Sequence, residues 1–415
     1  MNSEPSIISD IAHINPELTN SSWKGCKIAY IDIASIGCGV YNSKPKILPY
    51  DDAPSRARRV VEQGDILISM VRPNRRSMIQ ISNPVDNTVA STGFALLRPK
   101  RIEDSDYLFG IISNPHFTIE LEMLAYGAAY PAISTKDLCS VPIYLPSEKH
   151  RDEISGILRP ISQLLSMNLD SIIERKVDAI FRAWFVDFDL SDSLHNSKIG
   201  PIPEGWSTKF LTEIAEIDRG FSYTSEYLCE KEEGTTMINL ATFLHGGGYK
   251  DSGLKHISAN FDSRYLINRG DVLIATVDLT PELRVVGSPL IVPSHLEKKC
   301  IFSQDLLRLN LKQDTSIGRG YLYHWLKVRR GILKQWSSGS TVSRFPQKAL
   351  NSYPILIPPT ELLEKFEAIF EQSLRAVESH RRRNQQLLGL KNKLLNQLMS
   401  GHLQNLSLKH QEDLA

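Results

Sequence analysis

Two kinds of hydrophobic spacing alternate along this chain. Short, nearly continuous apolar runs, such as those at residues 65–71 and 93–99, are separated by Pro, Asn and Gly, and this pattern predicts β-strands and turns. After Pro146, apolar residues recur every three or four positions as far as Trp184, which predicts one amphipathic helix of roughly 30 residues or more. The first half therefore combines a β-rich module with a long helix.

The second half repeats this order. Residues 189–206, rich in Ser, Asn, Gly and Pro, break the helical spacing and predict a linker. Strand-like runs return at residues 270–277 and 354–358, and helical spacing resumes after Pro359. The order of elements thus indicates two related halves.

Direct alignment of the two halves supports a duplication. The block GAAYPAISTKDLCSVPIYLPS at Gly127 matches GSTVSRFPQKALNSYPILIPP at Gly339, with an offset of 212 positions and no gap. Upstream, VEQGDILISMVRP at Val61 matches INRGDVLIATVDLT at Ile267 with an offset of 206. Two copies of a unit of roughly 200 residues predict an internal pseudo-two-fold symmetry.

The predicted fold class is α+β, with two β-rich domains separated by an antiparallel pair of long helices. Each helix has one apolar stripe that a single copy leaves uncovered, so the two stripes are expected to bury each other. The predicted boundaries are residues 1–150 for the first domain, 151–189 for the central helical spacer, 190–360 for the second domain, 361–405 for the distal spacer and 406–415 for a tail.

Composition narrows the functional classes. The 415 residues include 48 basic and 47 acidic side chains, so any signal for nucleic acid has to come from local patches. Five cysteines without a CxxC pair argue against a disulfide framework and a zinc ribbon, and no HExxH or similar pattern predicts a metal site. The N-terminus lacks a signal peptide, and no apolar run predicts a membrane span. We therefore expect a cytoplasmic protein with no membrane association.

No catalytic motif emerges from the sequence. SNPHF at Ser113 is similar to the Asn-Pro-Pro-aromatic loop of adenine-N6 methyltransferases, but its second Pro is replaced by His116, and no glycine-rich cofactor fingerprint accompanies it. HGGGYK at His245 lacks the spacing of a phosphate-binding loop. We expect no catalytic residue and no cofactor in this chain.

A local basic excess suggests where nucleic acid could bind. Between residues 55 and 101 lie nine basic and three acidic residues, and RPNRRS at Arg72 follows a predicted strand. Guanidinium groups suit phosphate oxygens and guanine edges. In the repeated block, the shared Lys136 and Lys348 favour phosphate contact. Positions at which the two copies differ are those expected to read different bases.

Taken together, these motifs resemble the specificity (S) subunit of type I restriction-modification systems over essentially the full chain. The resemblance is carried by IPEGW at Ile202, GDILISMVRPNRRS at Gly64, STGFALLRP at Ser91, the paired blocks at Gly127 and Gly339, and the long helix after each block. It implies two target recognition domains, each reading one half of an asymmetric, bipartite DNA sequence, and helical conserved regions that form the spacer.

The resemblance also implies partners and site residues. It implies a non-catalytic subunit that binds double-stranded DNA and docks two modification subunits, which methylate adenine, and ATP-dependent restriction subunits. S-adenosylmethionine, ATP and magnesium would belong to those partners. The residues expected to contact DNA are Arg72, Asn74, Arg75, Arg76, Tyr130 and Lys136 in the first domain, and Arg284, Ser343, Arg344 and Lys348 in the second. Those expected to dock partners are Phe181, Trp184 and Leu398.

Two other classes remain open at this stage. One is an enzyme with methyltransferase or nuclease chemistry in this chain, and the other is a two-headed helical scaffold that does not bind nucleic acid. The missing cofactor loop argues against the first, and the arginine excess argues against the second. The sequence specifies neither the bases read nor the length of the gap between the half-sites.

Overall fold

The structure, a computed structural model, describes residues 6–41, 43–127, 130–167, 169–191, 193–197, 199–280, 282–296, 299–339 and 342–399. The chain divides into two compact units. The first unit comprises Met1–Asn168 with Arg381–Ala415, and the second comprises Leu169–His380.

The first unit contains two four-stranded sheets and a group of helices. Its strands are β1 (Ser6–Ile7), β2 (Ala12–Ile14), β3 (Lys27–Ile31), β4 (Lys46–Pro49), β5 (Ala57–Val60), β6 (Ile66–Ser69), β7 (Met78–Gln80), β8 (Thr88–Ser91), β9 (Phe94–Pro99) and β10 (Pro142–Ile143). Its helices are α1 (Ile8–Ile11), α2 (Ser105–Ile112), α3 (Pro115–Leu124), α4 (Thr135–Ser140) and α5 (Glu148–Ser166).

The second unit has the corresponding elements. Its strands are β11 (Leu194–Ser197), β12 (Gly200–Pro203), β13 (Ser207–Phe210), β14 (Ala215–Arg219), β15 (Thr235–Ile238), β16 (Lys255–Ile257), β17 (Leu266–Ile267), β18 (Val272–Ala275), β19 (Val277–Asp278), β20 (Pro289–Ile291), β21 (Cys300–Phe302), β22 (Leu306–Leu311), β23 (Ser343–Arg344) and β24 (Pro354–Ile357). Its helices are α6 (Leu169–Phe185), α7 (Leu211–Ile214), α8 (Arg319–Val328) and α9 (Arg330–Gln335). The long helix α10 (Thr360–Met399) begins in this unit and ends in the first.

The two units share one strand topology. The sheet orders are β2-β9-β6-β7 and β4-β3-β8-β5 in the first unit, and β14-β22-β18-β20 and β16-β15-β21-β17 in the second. In each unit the second sheet contains one parallel pair, β3 with β8 or β15 with β21, and its other pairs are antiparallel. The α+β fold class with two sheet-rich domains is therefore confirmed, and so is the duplication.

The central strand of the first sheet explains the continuous apolar runs in the sequence. All four residues of β6 are buried: Ile66 and Ile68 pack against the helices, whereas Leu67 packs against the other sheet. The residues of β18 alternate in the same way between two cores. A strand that is buried on both faces has apolar residues at every position, which explains the uninterrupted runs. Because one face of each strand packs against helices and the other against the second sheet, the helices and the two sheets form successive layers.

The long helices pack inside both units. In the second unit, Phe181 of α6 lies with its ring centroid 5.4 Å from that of Phe366 in α10. His380 and Asp170 are 2.8 Å apart, so the two helices run antiparallel. In the first unit, Leu158 of α5 and Leu395 of α10 both lie against Gly110 of α2. Each unit is thus completed by helical residues from both copies of the repeat.

The predicted central spacer of residues 151–189 is not one helix. It is divided into α5 and α6, with Met167 in an extended conformation between them. The sequence there reads Ser-Met-Asn, and Ser and Asn favour helix ends because their side chains compete for backbone hydrogen bonds. Periodicity missed the break because the apolar stripe continues on both sides of it.

The unit boundaries also differ from the predicted domain boundaries. The compact units divide the chain inside both predicted spacers, after Asn168 and after His380, rather than at the spacer ends. The physical reason is that the apolar stripes of the helices are buried against helices α2 and α8 of the domains. Residues 400–415, which include the predicted tail, lie outside the described residues.

We expect Gly320→Ala to destabilise the second unit, because a Cβ atom there would meet ring carbons of Phe370 at 2.3 and 2.4 Å. Overpacking of this kind costs about 1–3 kcal/mol. Gly331→Ala in α9 is the matched control: its Cβ would meet no atom within 4 Å, and alanine should gain up to about 1 kcal/mol. Urea unfolding of both variants checks this, and equal stability of the two would contradict the packing described.

Candidate nucleic-acid interface

The loop after β6 in the first unit contains the predicted arginines. Residues Pro73–Arg75 form a single 3-10 turn, and Arg72 and Arg76 on either side have positive φ angles of 52° and 51°. Non-glycine residues rarely adopt this left-handed conformation, and such strain is concentrated at functional sites. The turn leaves Asn74 and Arg75 exposed at its tip.

The repeated block of the sequence holds this loop in place. The backbone N–H of Arg72 donates to the carbonyl of Pro131 at 2.7 Å, and Ile133 donates to Met70 at 2.9 Å. On the other side, the guanidinium of Arg76 donates to the carbonyl of Ser113 at 2.5 Å, just before α3. Two chain segments far apart in sequence are thereby joined into one surface.

Arg72 and Tyr130 form a stacked pair on that surface. The guanidinium carbon of Arg72 lies 4.3 Å from the ring centroid of Tyr130, whose side chain is 68% exposed. A guanidinium placed over an aromatic ring is attracted by the negative face of the ring. The contact therefore holds the cationic end of Arg72 beside an exposed tyrosine.

The basic excess between residues 55 and 101 is mostly used inside the domain. Arg98 pairs with the fully buried Asp65 at 2.9 Å, Arg101 pairs with Asp152 at 3.1 Å, and Arg59 donates to a backbone carbonyl. Burial raises the pKa of Asp65, and the hydrogen bonds from Arg98 oppose that rise. By contrast, Arg75 has no ion-pair partner among the described residues, so cationic charge remains available at the turn.

The second unit builds the same loop differently. Strand β19 pairs with β23, with Val277 opposite Arg344 and Asp278 opposite Ser343. At the offset of 206, Asp278 stands where the first unit has Arg72. Its carboxylate, 1% exposed, accepts hydrogen bonds from Thr280 at 2.8 and 2.6 Å and from the backbone N–H groups of Val285 and Val286 at 2.5 and 2.9 Å.

These bonds keep Asp278 ionised. Burial alone would raise the pKa of Asp278, but the hydrogen bonds from Thr280, Val285 and Val286 outweigh it and lower the pKa. A depressed pKa in the folded state means that Asp278 stabilises the loop above its unfolded pKa, and that this stabilisation is lost as pH falls through the folded value. The carboxylate is thus a structural anchor of residues 278–286.

An arginine clamps the loop to a helix in each unit. In the second unit, Arg330 of α9 donates to the carbonyls of Leu283 and Val286 at 2.5 and 2.9 Å. In the first unit the donor lies on the loop instead of the helix. It is Arg76, and its acceptor, the carbonyl of Ser113, lies just before helix α3. Both units therefore present a loop, a helix and part of the repeated block as one assembly with different side chains.

Comparison with known proteins identifies this arrangement. Residues 203–388 match the family described as the type I restriction modification DNA specificity domain. A type I restriction enzyme specificity subunit of Methanocaldococcus jannaschii, MjaIX, is 22% identical over 363 residues, which are 83% of this chain and 79% of that protein. These matches make the chain similar to type I specificity subunits, and the family match covers the second half of the chain.

Other specificity subunits are also similar to this chain. The HindI specificity subunit of Haemophilus influenzae is 29% identical over 170 residues, which are 39% of this chain and 37% of that protein. A solved structure, the type I restriction-modification S subunit from M. genitalium, aligns with 95% of this chain and 96% of that chain at 14% identity and a TM-score of 0.47. These two curated relatives are named specificity subunits, which agrees with the expectation that this chain is not the catalytic subunit.

The methyltransferase-like motif has a structural role in the first unit. Asn114 is buried, and its side chain accepts from the backbone N–H of His116 at 2.9 Å, which caps α3 ahead of Pro115. Its amide also donates to Asn396 at 2.8 Å. A side chain bonded in this way is a helix cap, which accounts for the Asn-Pro pair without catalytic chemistry.

The structure brings together five of the six residues predicted to bind DNA in the first unit. Arg72, Asn74, Arg75 and Arg76 lie in the loop, and Tyr130 stacks on it. Lys136 is exposed on the following helix α4, whose first turn is fixed by a capping box between Ser134 and Asp137. No described contact joins Lys136 to the loop.

In the second unit the predicted residues are more dispersed. Ser343 and Arg344 lie on β23, and Arg344 pairs with Asp305 at 3.3 Å. Arg284 is exposed at the end of the loop anchored by Asp278 and lies 3.5 Å from Glu282. Lys348 is exposed in the 3-10 turn Gln347–Ser352. The interface role of these residues stays a prediction.

Sequence reasoning did not single out several residues that lie next to the predicted ones in the candidate interface. Asp278 organises its loop, and the large apolar side chains of Met123, Tyr126 and Leu279 are exposed beside the predicted residues. Asp278 could have been suspected from its position next to Thr280, because Asp followed by Thr or Ser two residues later is typical of a self-bonded turn. The exposure of these apolar side chains could not be predicted, because apolar residues in a sequence are expected to be buried in the core.

The predicted partner-docking residues need correction. Phe181 is 0% exposed and contacts the rings of Tyr321, His324 and Phe366 in the core of the second unit, so it is wrong as a docking residue. Trp184 is half-buried against Phe366. The side chain of Leu398 lies outside the described residues. Phe181 was misassigned because the apolar stripe of α6 faces the domain rather than a partner.

In the described part of the chain, no group of three or more His, Cys, Asp or Glu side chains could hold a metal ion. None of the described helices is both long enough and apolar enough to cross a membrane.

Proposed function

We propose that this chain is the DNA-reading subunit of a type I restriction-modification complex, in which each compact unit reads one half of a bipartite target. The supporting observation is that one backbone frame carries two different sets of side chains. At equivalent positions the first unit has Arg72, Tyr130 and Ala132, whereas the second has Asp278, Val342 and Arg344. A duplicated frame with different surface groups suits two different base sequences.

The first unit reads bases with the exposed tip of its arginine loop. Arg75 and Asn74 present the donors and acceptors that recognise guanine and adenine edges in the major groove. The stacked Arg72 and the exposed Lys136 supply phosphate contacts that position the unit. In the second unit, Arg344, Arg284 and Ser343 read bases, and Lys348 contacts phosphate.

Two modification subunits and the restriction subunits bind to the helices. Exposed apolar residues support this assignment: Ile157 and Leu164 lie seven positions apart on α5, and Leu388 and Leu390 are exposed on α10. Apolar side chains left uncovered on a helix commonly mark a contact with another chain. We therefore assign partner docking to these four exposed residues instead of to Phe181, which is buried.

The complex works in the cytoplasm, and its cofactors are held by the partners. S-adenosylmethionine would supply the methyl group on the modification subunits, and ATP and magnesium would serve the restriction subunits. The chain itself would contribute recognition and positioning. Isothermal titration of S-adenosylmethionine into the isolated chain is expected to give no heat of binding, whereas the complex with the modification subunit should bind it.

Sequencing of methylated adenines in the source genome tests this proposal. With the chain present, we expect methylation at one motif made of two short specific parts separated by a fixed unspecified gap, and deletion of the chain should abolish it. Restoring the chain from a plasmid is the control. A continuous motif, or methylation that persists after deletion, would contradict the proposal.

A further inference from the structure

The first unit contains a partly open cavity of about 630 Å³ that none of the residues of the proposed DNA interface lines. Its walls are formed by residues of α2, α5 and α10 and by the loop of residues 38–40. Cavities that bind small molecules commonly measure about 300–1,000 Å³. None of the ten residues predicted to bind DNA lines it.

A buried lysine faces this cavity. Lys391 of α10 is 4% exposed, and its ammonium nitrogen lies 4.5 Å from the ring centroid of Phe109. Apart from that ring, Lys391 has no hydrogen-bond or ion-pair partner in the described parts of the chain. Most of the Lys391 side chain is buried while its ammonium group has no protein acceptor among the residues that the structure describes, so the group favours an anion that enters the cavity.

The carboxylates around Lys391 do not fill this need. Asp106, which is buried in the cavity wall, accepts from Arg159 at 2.7 Å and from Gln80 at 3.1 Å. Glu103 lines the cavity as well, but it is exposed to solvent. Asp106 is thus neutralised by Arg159, and the charge of Lys391 is left for a ligand.

We propose that this cavity binds a small organic anion, and that a carboxylate or phosphate oxygen of the ligand accepts hydrogen bonds from Lys391. The side chains of Gln63 and Gln385 line the same cavity and provide amide groups that can orient the rest of the molecule. This inference goes beyond DNA recognition and does not depend on it.

The cavity is not part of the duplicated frame. Gly110 and Gly320 occupy equivalent positions, because each lies under an apolar side chain of a long helix. The residues that precede them, Phe109 in the first unit and Arg319 in the second, are therefore equivalent as well. Glu371 stands at the offset of 212 from Arg159, and it pairs with Arg319 at 2.6 Å. The second unit therefore fills this place with an internal ion pair, whereas the first unit keeps an aromatic ring and a lysine.

Calorimetric titration of the full chain with two probes, citrate and glucose 6-phosphate, tests the proposal. We expect at least one probe to bind near neutral pH and to bind about tenfold or more weakly to Lys391→Met, which keeps the apolar stem but removes the charge. Lys393→Met, at an exposed position of the same helix, is the matched control and should bind normally. Binding of citrate alone assigns a carboxylate ligand, and binding of glucose 6-phosphate alone assigns a phosphate ester.

The pH dependence gives a second readout on the unaltered chain. Burial lowers the pKa of Lys391 to about 8, with Cys38 and Asp106 acting in the opposite direction. The ammonium is therefore present at neutral pH, and affinity should fall as pH rises through about 8. The bound probe should also protect Lys391 more than Lys393 from reductive methylation, as measured by mass spectrometry.

Two results would overturn the proposal. One is the absence of binding of either probe at millimolar concentration to the folded chain. The other is equal binding by the wild type and Lys391→Met, with no protection of Lys391. If neither probe binds but a partner subunit shields Lys391 from methylation, the cavity is a docking pocket for that partner and the proposed anion site is wrong.

Discussion

Inserting four helix-forming residues at the same level of both helical connections is expected to lengthen the gap between the two half-sites by about one base pair. The insertions belong after Met167 and after Arg381, beside the hydrogen bond between Asp170 and His380, where the chain passes from one unit to the other. Wild-type sites should then lose methylation, and sites with the longer gap should gain it.

Rotation favours one base pair over two. Four residues advance a helix by about 6 Å and turn it by about 40° beyond a full turn. One base pair of B-DNA turns the duplex by about 34–36° and two turn it by about 70°, so the added rotation of the helix is matched by one base pair. Adenine mapping in a host that expresses the variant measures the gap.

A matched control distinguishes the effect of longer helices from a general disturbance of the fold by inserted residues. The same four residues inserted after Glu204, in an exposed turn outside both helices, should leave the gap unchanged. If the gap also stays unchanged in the helical variant while methylation continues, the helices do not set the spacing.

Replacing Arg75 with alanine is the second large expected effect. If Arg75 reads a guanine, its loss costs about 1–3 kcal/mol at that base pair, which is on the order of 5- to 150-fold in affinity. The discrimination should relax in one half-site only, because each unit reads its own half. Competition binding of the assembled complex to DNA substituted at each position measures this.

Lys100→Ala is the control for charge, because Lys100 is an exposed cation of the same unit outside the loop. It should leave base discrimination intact. A loss of affinity that is equal for all sequences in Arg75→Ala, together with a shallower dependence on salt, would reassign Arg75 to a phosphate contact.

Much of the fold could be predicted from repeats and periodicity. The apolar runs at β6 and β18 identified the central strands, and the two Gly-led blocks identified the segments that pair beside them. The order of strands within the sheets could not be read from the sequence, because it depends on pairing between distant segments. The helix break at Met167 could not be predicted either, because the spacing of apolar residues continues across it and does not depend on the backbone conformation of one residue.

The candidate site was only partly predictable. The Arg72 loop was found because three arginines follow a strand, yet most of the surrounding basic excess is used in pairs such as Arg98 with Asp65. The burial of Phe181 and of Lys391 could not be read from the sequence. An apolar residue on a long helix is buried in its own unit, and a lysine on the distal helix is buried rather than solvated. Which face of a helix meets its own domain is decided by tertiary packing.

The most direct test of independent reading compares methylated-adenine maps for wild type, Arg75→Ala and Arg344→Ala, each expressed with the modification subunit. Arg75 lies in the first unit and Arg344 in the second. We predict that the two variants relax opposite halves of one bipartite motif and keep the gap between them. Relaxation of the same half by both variants, or of both halves by either one, would contradict the assignment of one half-site to each unit.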